Sequence, residues 1–137
     1  MATRSPGTAP AALADARFVS LTTYRRTGEP VPTPVWLVRD GDALLVTTPA
    51  ASGKVKRLRA HPRVELRPCD RRGRVDADAP VATGEAEILG DPATVRRCHA
   101  LFRRRYGLEY RIAWLAERVI PRGRRTRVIL RITDRPA

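Results

Sequence analysis

Pro30, Pro32 and Pro34 stand at alternate positions in a run that otherwise reads as a β-strand, Pro30–Val38 (PVPTPVWLV). Proline lacks the N–H that a ladder needs, so this run must lie at a sheet edge or carry a bulge. Its neighbours agree with a sheet. Arg17–Tyr24 (RFVSLTTY) is rich in β-branched and aromatic residues and predicts a strand, and Ala43–Thr48 (ALLVTT) predicts another. Arg26-Thr27-Gly28-Glu29 separates the first two runs. Asp40-Gly41-Asp42 supplies a hairpin turn, with glycine where a positive φ is needed.

The period then changes. Ser52 is a candidate N-cap, and Gly53–Ala60 (GKVKRLRA) sets Val55 and Leu58 three apart, as one face of a short helix. His61-Pro62 ends it. Arg63–Cys69 alternates apolar and charged residues as a half-exposed strand, Asp70–Ala79 is a polar loop, and Pro80–Leu89 is a strand bent at Gly84. Asp91-Pro92 opens a helix on which Val95, Cys98, Leu101 and Phe102 follow helical spacing to Tyr106-Gly107. A second helical stretch, Tyr110–Ile120, precedes a closing strand at Thr126–Thr133. The sum is about six strands with short helices, an α+β, mainly β domain of the small antiparallel barrel type. We divide the 137 residues into an N-terminal arm, 1–16, with Pro6, Gly7 and Pro10 ahead of a short helix at Ala11–Ala16, and a single domain, 17–137.

No apolar stretch approaches the roughly 20 residues of a spanning helix, and the N-terminus lacks the apolar segment of a secretory signal. Cys69 and Cys98 are too few for a disulfide framework and read as reduced thiols of a cytoplasmic protein. Basic residues number 27 against 14 acidic, a net charge of +13 that attracts polyanions or a phosphorylated cofactor. Of the 27, 25 are arginine, a bias that can reflect genome composition as much as function. The two lysines, Lys54 and Lys56, fall together in one segment.

That segment, Thr47-Thr48-Pro49-Ala50-Ala51-Ser52-Gly53-Lys54-Val55-Lys56-Arg57-Leu58-Arg59, ends a strand in hydroxyls, turns through small residues and opens a helix. The N–H groups and dipole of a helix start form an anion site, to which Lys54, Lys56 and Arg59 add cations. Glycine spacing excludes a Walker loop. The plainer reading is a basic, solvated helix; lysine used here alone, as a compact phosphate-binding charge, favours the anion site. A second candidate is Thr33-Pro34-Val35-Trp36, whose interrupted backbone offers groups that a planar heterocycle can bond while lying against Val35 or Trp36. The plainer reading there is a bulged strand with Trp36 in the core.

Taken in order, Phe18-Val19-Ser20-Leu21-Thr22-Thr23, Gly28-Glu29-Pro30, Thr33-Pro34-Val35-Trp36, Ser52 to Arg59, His61-Pro62-Arg63-Val64 and Pro68-Cys69-Asp70 resemble the pyridoxamine-phosphate-oxidase-like split β-barrel flavoproteins, and within them the short F420-dependent group. The resemblance implies a homodimer of six-stranded antiparallel split β-barrels of the FMN-binding type, with cofactor sites at the subunit interface. It implies an oxidoreductase that moves a hydride between coenzyme F420, or alternatively FMN, and a small organic substrate. By the same resemblance Ser52, Gly53, Lys54, Lys56 and Arg59 hold the phosphate, Pro34, Val35 and Trp36 flank the tricyclic ring, and Thr47 and Thr48 line the approach. F420 carries a tail of carboxylates beyond its phosphodiester, and Arg96–Arg127 supplies eleven basic residues against Glu109 and Glu117 to meet it.

No catalytic residue follows from the sequence, although Tyr106 and Tyr110 are the side chains to consider as proton donors. Cys69, Cys98, His61 and His99 lack the spacing of a zinc module, so no metal site is expected. No GxSxG elbow is present. The rival from another class is a nucleic-acid-binding small barrel, supported by net charge and by runs such as RRRYG. Aromatic residues are only 5%, and no strand interleaves them with basic ones, so specific nucleic-acid binding is not expected. A cofactor-binding protein without turnover is a third reading.

Overall fold

The computed structural model describes residues 9–108 and 126–134. Among the described residues seven strands form one antiparallel sheet: β1 (Phe18–Tyr24), β2 (Pro30–Val35), β3 (Leu37–Asp40), β4 (Ala43–Pro49), β5 (Arg63–Cys69), β6 (Ala82–Leu89) and β7 (Arg127–Asp134). Helix α1 is Gly53–Ala60, α2 is Pro92–Tyr106, and a 3-10 turn at Pro10–Leu13 precedes β1. The stretch Tyr110–Ile120, read as helical from sequence, lies outside the described residues.

The strand count corrects the expected six, and the reason lies in the proline run. Pro30–Val38 is two strands. Up to Val35 it pairs with β1, and from Leu37 it pairs with β4. The sheet order is β2-β1-β5-β6-β7-β4-β3, so its two edge strands are consecutive in the chain and separated by Trp36 alone. Two residues of extended chain span at most about 7 Å, so the sheet must curl until its edges meet at Trp36. The prolines fit this arrangement because β2 is an edge strand.

Curling separates two apolar layers. Inside, Val19, Leu21, Val35, Leu37, Leu44, Val46, Val64, Leu66, Leu130 and Ile132 alternate inward from their strands. Val55 and Leu58 of α1 and Leu13 and Ala14 of the N-terminal segment complete that core. Outside, α2 lays Cys98, Phe102 and Tyr106, spaced four apart, over Val38, Leu45 and Ile129. Asp91 caps α2 by accepting the N–H of Thr94 at 2.9 Å, with Pro92 in the first turn. Gly41 takes φ +62° in the β3–β4 hairpin, as its position in the turn predicts.

Gly84 is required by close approach. A Cβ there would stand 2.3 Å from the carbonyl oxygen of Thr133 and 3.1 Å from Cγ of Pro10. The first neighbour is backbone and cannot swing away. Gly84→Ala is therefore expected to lower unfolding free energy by about 1–3 kcal/mol, read as a reduced urea midpoint with an unchanged slope; an unchanged midpoint would show that β6 and β7 separate freely.

Candidate functional site

The sequence around Ser52 folds as its composition suggests. After β4, the Ser52 N–H bonds the Pro49 carbonyl at 3.0 Å, and Ser52 Oγ caps α1 by accepting the Val55 N–H at 3.4 Å. Thr48, buried and turned inward, donates its hydroxyl to Ser52 Oγ at 3.2 Å. Thr48 thus seats the cap. Thr47, one residue earlier, faces the other side of the sheet.

α1 brings a cation into this corner that sequence reasoning did not place in the site. Arg57 Nε donates to the buried Thr23 hydroxyl at 2.7 Å, and a Cβ on Gly53 would stand 2.7 Å from the Arg57 Nη1 atom. The guanidinium therefore lies across the first turn of α1, beside N–H groups that have no partner within the helix. Lys54 is half-buried; burial first, then Arg57 and Arg127, push its ammonium pKa below the ordinary 10.5. Burial and Arg25 likewise push Arg57 down. Among the described residues, the charges named as acting on Lys54, Arg57 and Arg127, are both positive. The helical spacing of Arg57, three residues after Lys54, was the available signal. Arg127, grouped from sequence with the arginines expected to meet a cofactor tail, is brought towards Lys54 by the β4–β7 pairing.

Lys56 and Arg59 do not join this group. A helix turns about 100° per residue, so both point well away from Lys54, and both are exposed. Val35 also departs from its expected place at a ring: its side chain is 6% exposed and belongs to the barrel interior. Pro34 is exposed on β2.

Trp36 and Thr47 lie on the same outer face. The β3–β4 register ends with Leu37 opposite Val46, so Trp36 and Thr47 are the next residues beyond that last pair, and both alternate outward from inward-facing neighbours. Across β4, Thr47 stands opposite Ile129 and Pro49 opposite Arg127. One outward-facing surface therefore runs from Trp36 through Thr47 towards Arg127 and Lys54. The Thr47 hydroxyl oxygen is buried and has no hydrogen-bond partner among the described residues. Trp36 is half-buried, stacked on Tyr106 at 4.9 Å between centroids and 27° between planes, with Phe18 edge-on at 6.4 Å. Tyr106, considered from sequence as a proton donor, is instead 5% exposed with its hydroxyl bonded to backbone. Tyr110 lies outside the described residues.

His99 is half-buried on α2. Burial first, then Arg127 and Arg103, lower its pKa from 6.5 to about 4. Of the arginines expected to face a cofactor tail, Arg105 donates to the carbonyls of Ala14 and Ala16 and holds the N-terminal segment instead. Arg97 lies 3.7 Å from Asp40. Arg122, Arg124 and Arg125 lie outside the described residues.

Two measurements check this electrostatic picture. Between Lys54's lowered folded pKa and 10.5 the unfolded chain binds more protons, so this group's contribution to stability rises with pH in that window and is unfavourable below it. Lys54→Met is expected to raise the melting temperature of the ligand-free protein at pH 7, and a lower one would mean that the ammonium has a stabilising partner. His99 likewise favours the folded state more as pH rises from about 4 to 6.5. Urea titrations of the protein and of His99→Gln should differ in slope across that interval; parallel curves would place the imidazole in water.

A family model described as pyridoxamine 5'-phosphate oxidase matches residues 7–133. None of the curated proteins matches in sequence. Among solved structures, an F420 reductase is 23% identical, with 89% of this chain and 90% of that one covered at a TM-score of 0.59. A conserved hypothetical protein from Mycobacterium tuberculosis is 24% identical over 92% of this chain and 78% of that one, at a TM-score of 0.65. A heme storage protein from Vibrio cholerae is 12% identical over 90% and 84%, at a TM-score of 0.64. At these identities the three likenesses concern the fold. The family match spans nearly the whole chain, and on it the chain belongs to the pyridoxamine 5'-phosphate oxidase family.

Proposed function

We propose that this protein binds a phosphorylated flavin-type cofactor, coenzyme F420 in preference to FMN, and acts as an oxidoreductase on a small organic substrate. One observation carries the reading. A cluster of cations crowds the start of α1, and a continuous outer row joins it to a half-buried tryptophan. An elongated molecule with a phosphate at one end and a planar ring at the other matches that layout. The donors fit the phosphate: an ammonium, a guanidinium and helix N–H groups in one corner, where the charges acting on Lys54 among the described residues are those of Arg57 and Arg127.

In this reading Lys54 and Arg57 hold the phosphate with the first N–H groups of α1, and Ser52 fixes the turn that presents them. Thr48 keeps Ser52 in place. Trp36 flanks the ring, and the orphaned Thr47 hydroxyl provides a hydrogen bond beside it. Arg127 and Arg103, near His99 and Lys54, favour F420, whose carboxylates continue beyond the phosphodiester. When bound, the cofactor supplies hydride transfer. The protein's part is to orient the ring against the substrate and exclude water from it, for which no ionising side chain is required. A homodimer with the site between subunits belongs to the same proposal.

The test is a fluorescence titration of the purified protein with F420 and with FMN at moderate salt. We expect micromolar or tighter binding of F420. Lys54→Ala and Arg57→Ala should each weaken it about ten- to hundredfold, the worth of a charge-assisted hydrogen bond of about 1.5–3 kcal/mol. Lys56→Ala and Arg59→Ala should change it by about twofold or less, as exposed charges do. Absence of binding to both cofactors overturns the reading.

A further inference from the structure

At the break between β2 and β3 the chain leaves one partner strand before taking another, which exposes the backbone of Leu37 on the side away from β4. The Tyr106 hydroxyl occupies that position. Its oxygen accepts the Leu37 N–H at 3.0 Å and stands 2.7 Å from the Leu37 carbonyl oxygen and 3.1 Å from that of Arg17, between which it donates its single proton. In an antiparallel ladder a residue exchanges both bonds with the residue opposite. Here one phenol performs both halves of that exchange. Its ring stacks on Trp36 on one side and contacts Phe102 at 6.2 Å on the other.

From this we infer that Tyr106 is a positioning residue for the ring site: its hydroxyl fixes the peptide between Trp36 and Leu37, and its ring sets the plane of Trp36. The inference rests on the reading of the Trp36–Thr47 row as the place of the cofactor ring. Tyr106 has no part in proton transfer, because its hydroxyl is buried and committed on both its donor and acceptor sides, and burial raises its pKa further. It acts by preorganisation. Without the Tyr106 stack beside it, a tryptophan at a strand break would sample more orientations, and ordering them on binding would cost affinity. Fixed in advance by α2, it does not carry that cost.

Tyr106→Phe removes the hydroxyl and keeps the ring. The expected results are a folded protein by circular dichroism, amide exchange at Leu37 about tenfold faster, and cofactor affinity about tenfold weaker. The bound cofactor's absorption band should also shift at saturation. Lys54→Ala should weaken binding without moving that band, since it acts at the phosphate. Gly84→Ala, which destabilises the β6–β7 seam and touches neither Tyr106 nor Trp36, should lower the melting temperature and leave affinity and band unchanged, so a merely structural effect is separable. Unchanged affinity and band in Tyr106→Phe overturn the positioning role and leave the cofactor reading standing. If the unmutated protein binds neither F420 nor FMN, both fall together. Should Tyr106→Phe not fold, the unmutated protein carries the test: saturating cofactor must slow exchange at Leu37, and unaltered exchange overturns the proposal.

Discussion

The structure depends on the chain changing partners at one residue. Because β2 and β3 are opposite edges of the same sheet and only Trp36 separates them, the sheet has no flat solution. Closure forces one face inward, where Leu21, Leu66 and Leu130 meet, and the other outward, where α2 must cover Val38, Leu45 and Ile129. It also leaves an exposed backbone step that a neighbouring element has to satisfy, since an unpaired buried N–H or C=O costs about as much as a lost hydrogen bond. The end of α2 supplies that partner through Tyr106, and Arg105 beside it ties down the carbonyls of Ala14 and Ala16. Core, outer helix and N-terminal segment are thus consequences of one interruption.

Much of this was legible in the sequence because it is local. Ser52 and Asp91 read as caps and are caps; Gly53–Ala60 has the expected boundaries; Val95, Cys98, Leu101 and Phe102 mark the face that α2 buries or half-buries. The alternate prolines announced an edge or a bulge, and the chain has the edge: β2 is an edge strand that ends in a break at Trp36. Their position could not announce that the two halves of the run serve opposite edges. Nothing between Val35 and Leu37 interrupts the apolar pattern, and only the pairing of Leu37 with Val46 reveals the switch. Strand count failed there for a topological reason.

The site divides along the same line. Ser52, Gly53 and Lys54 are visible because a helix start is a local feature. Lys56 and Arg59 were grouped with them by sequence proximity, yet helical rotation carries them away. Arg57 lay within reach of a helical projection, but its bond to Thr23 is a tertiary fact. Arg127 enters only through the β4–β7 register, 73 positions after Lys54. His99 shows burial and crowding acting together: burial first, and then the charges of Arg127 and Arg103, keep its imidazole neutral well into acid.

The two ends of the proposed site are prepared by different physics, and this separates their behaviour. At Trp36 the surface is set by packing and by neutral hydrogen bonds, which salt scarcely affects. At Lys54 it is set by burial of an ammonium and by the positive charges of Arg57 and Arg127, which make the charged form costlier in the folded chain before an anion binds. A ligand binding only the folded form stabilises it by mass action, and here it also relieves like-charge repulsion present before binding. The phosphate end should therefore account for most of the salt dependence of binding and for most of the stability gained from it. The ring end should account for the orientation on which hydride transfer depends. A fragment carrying only the phosphate would reproduce the first effect and none of the second, so the division between holding and orienting is physical rather than a matter of description.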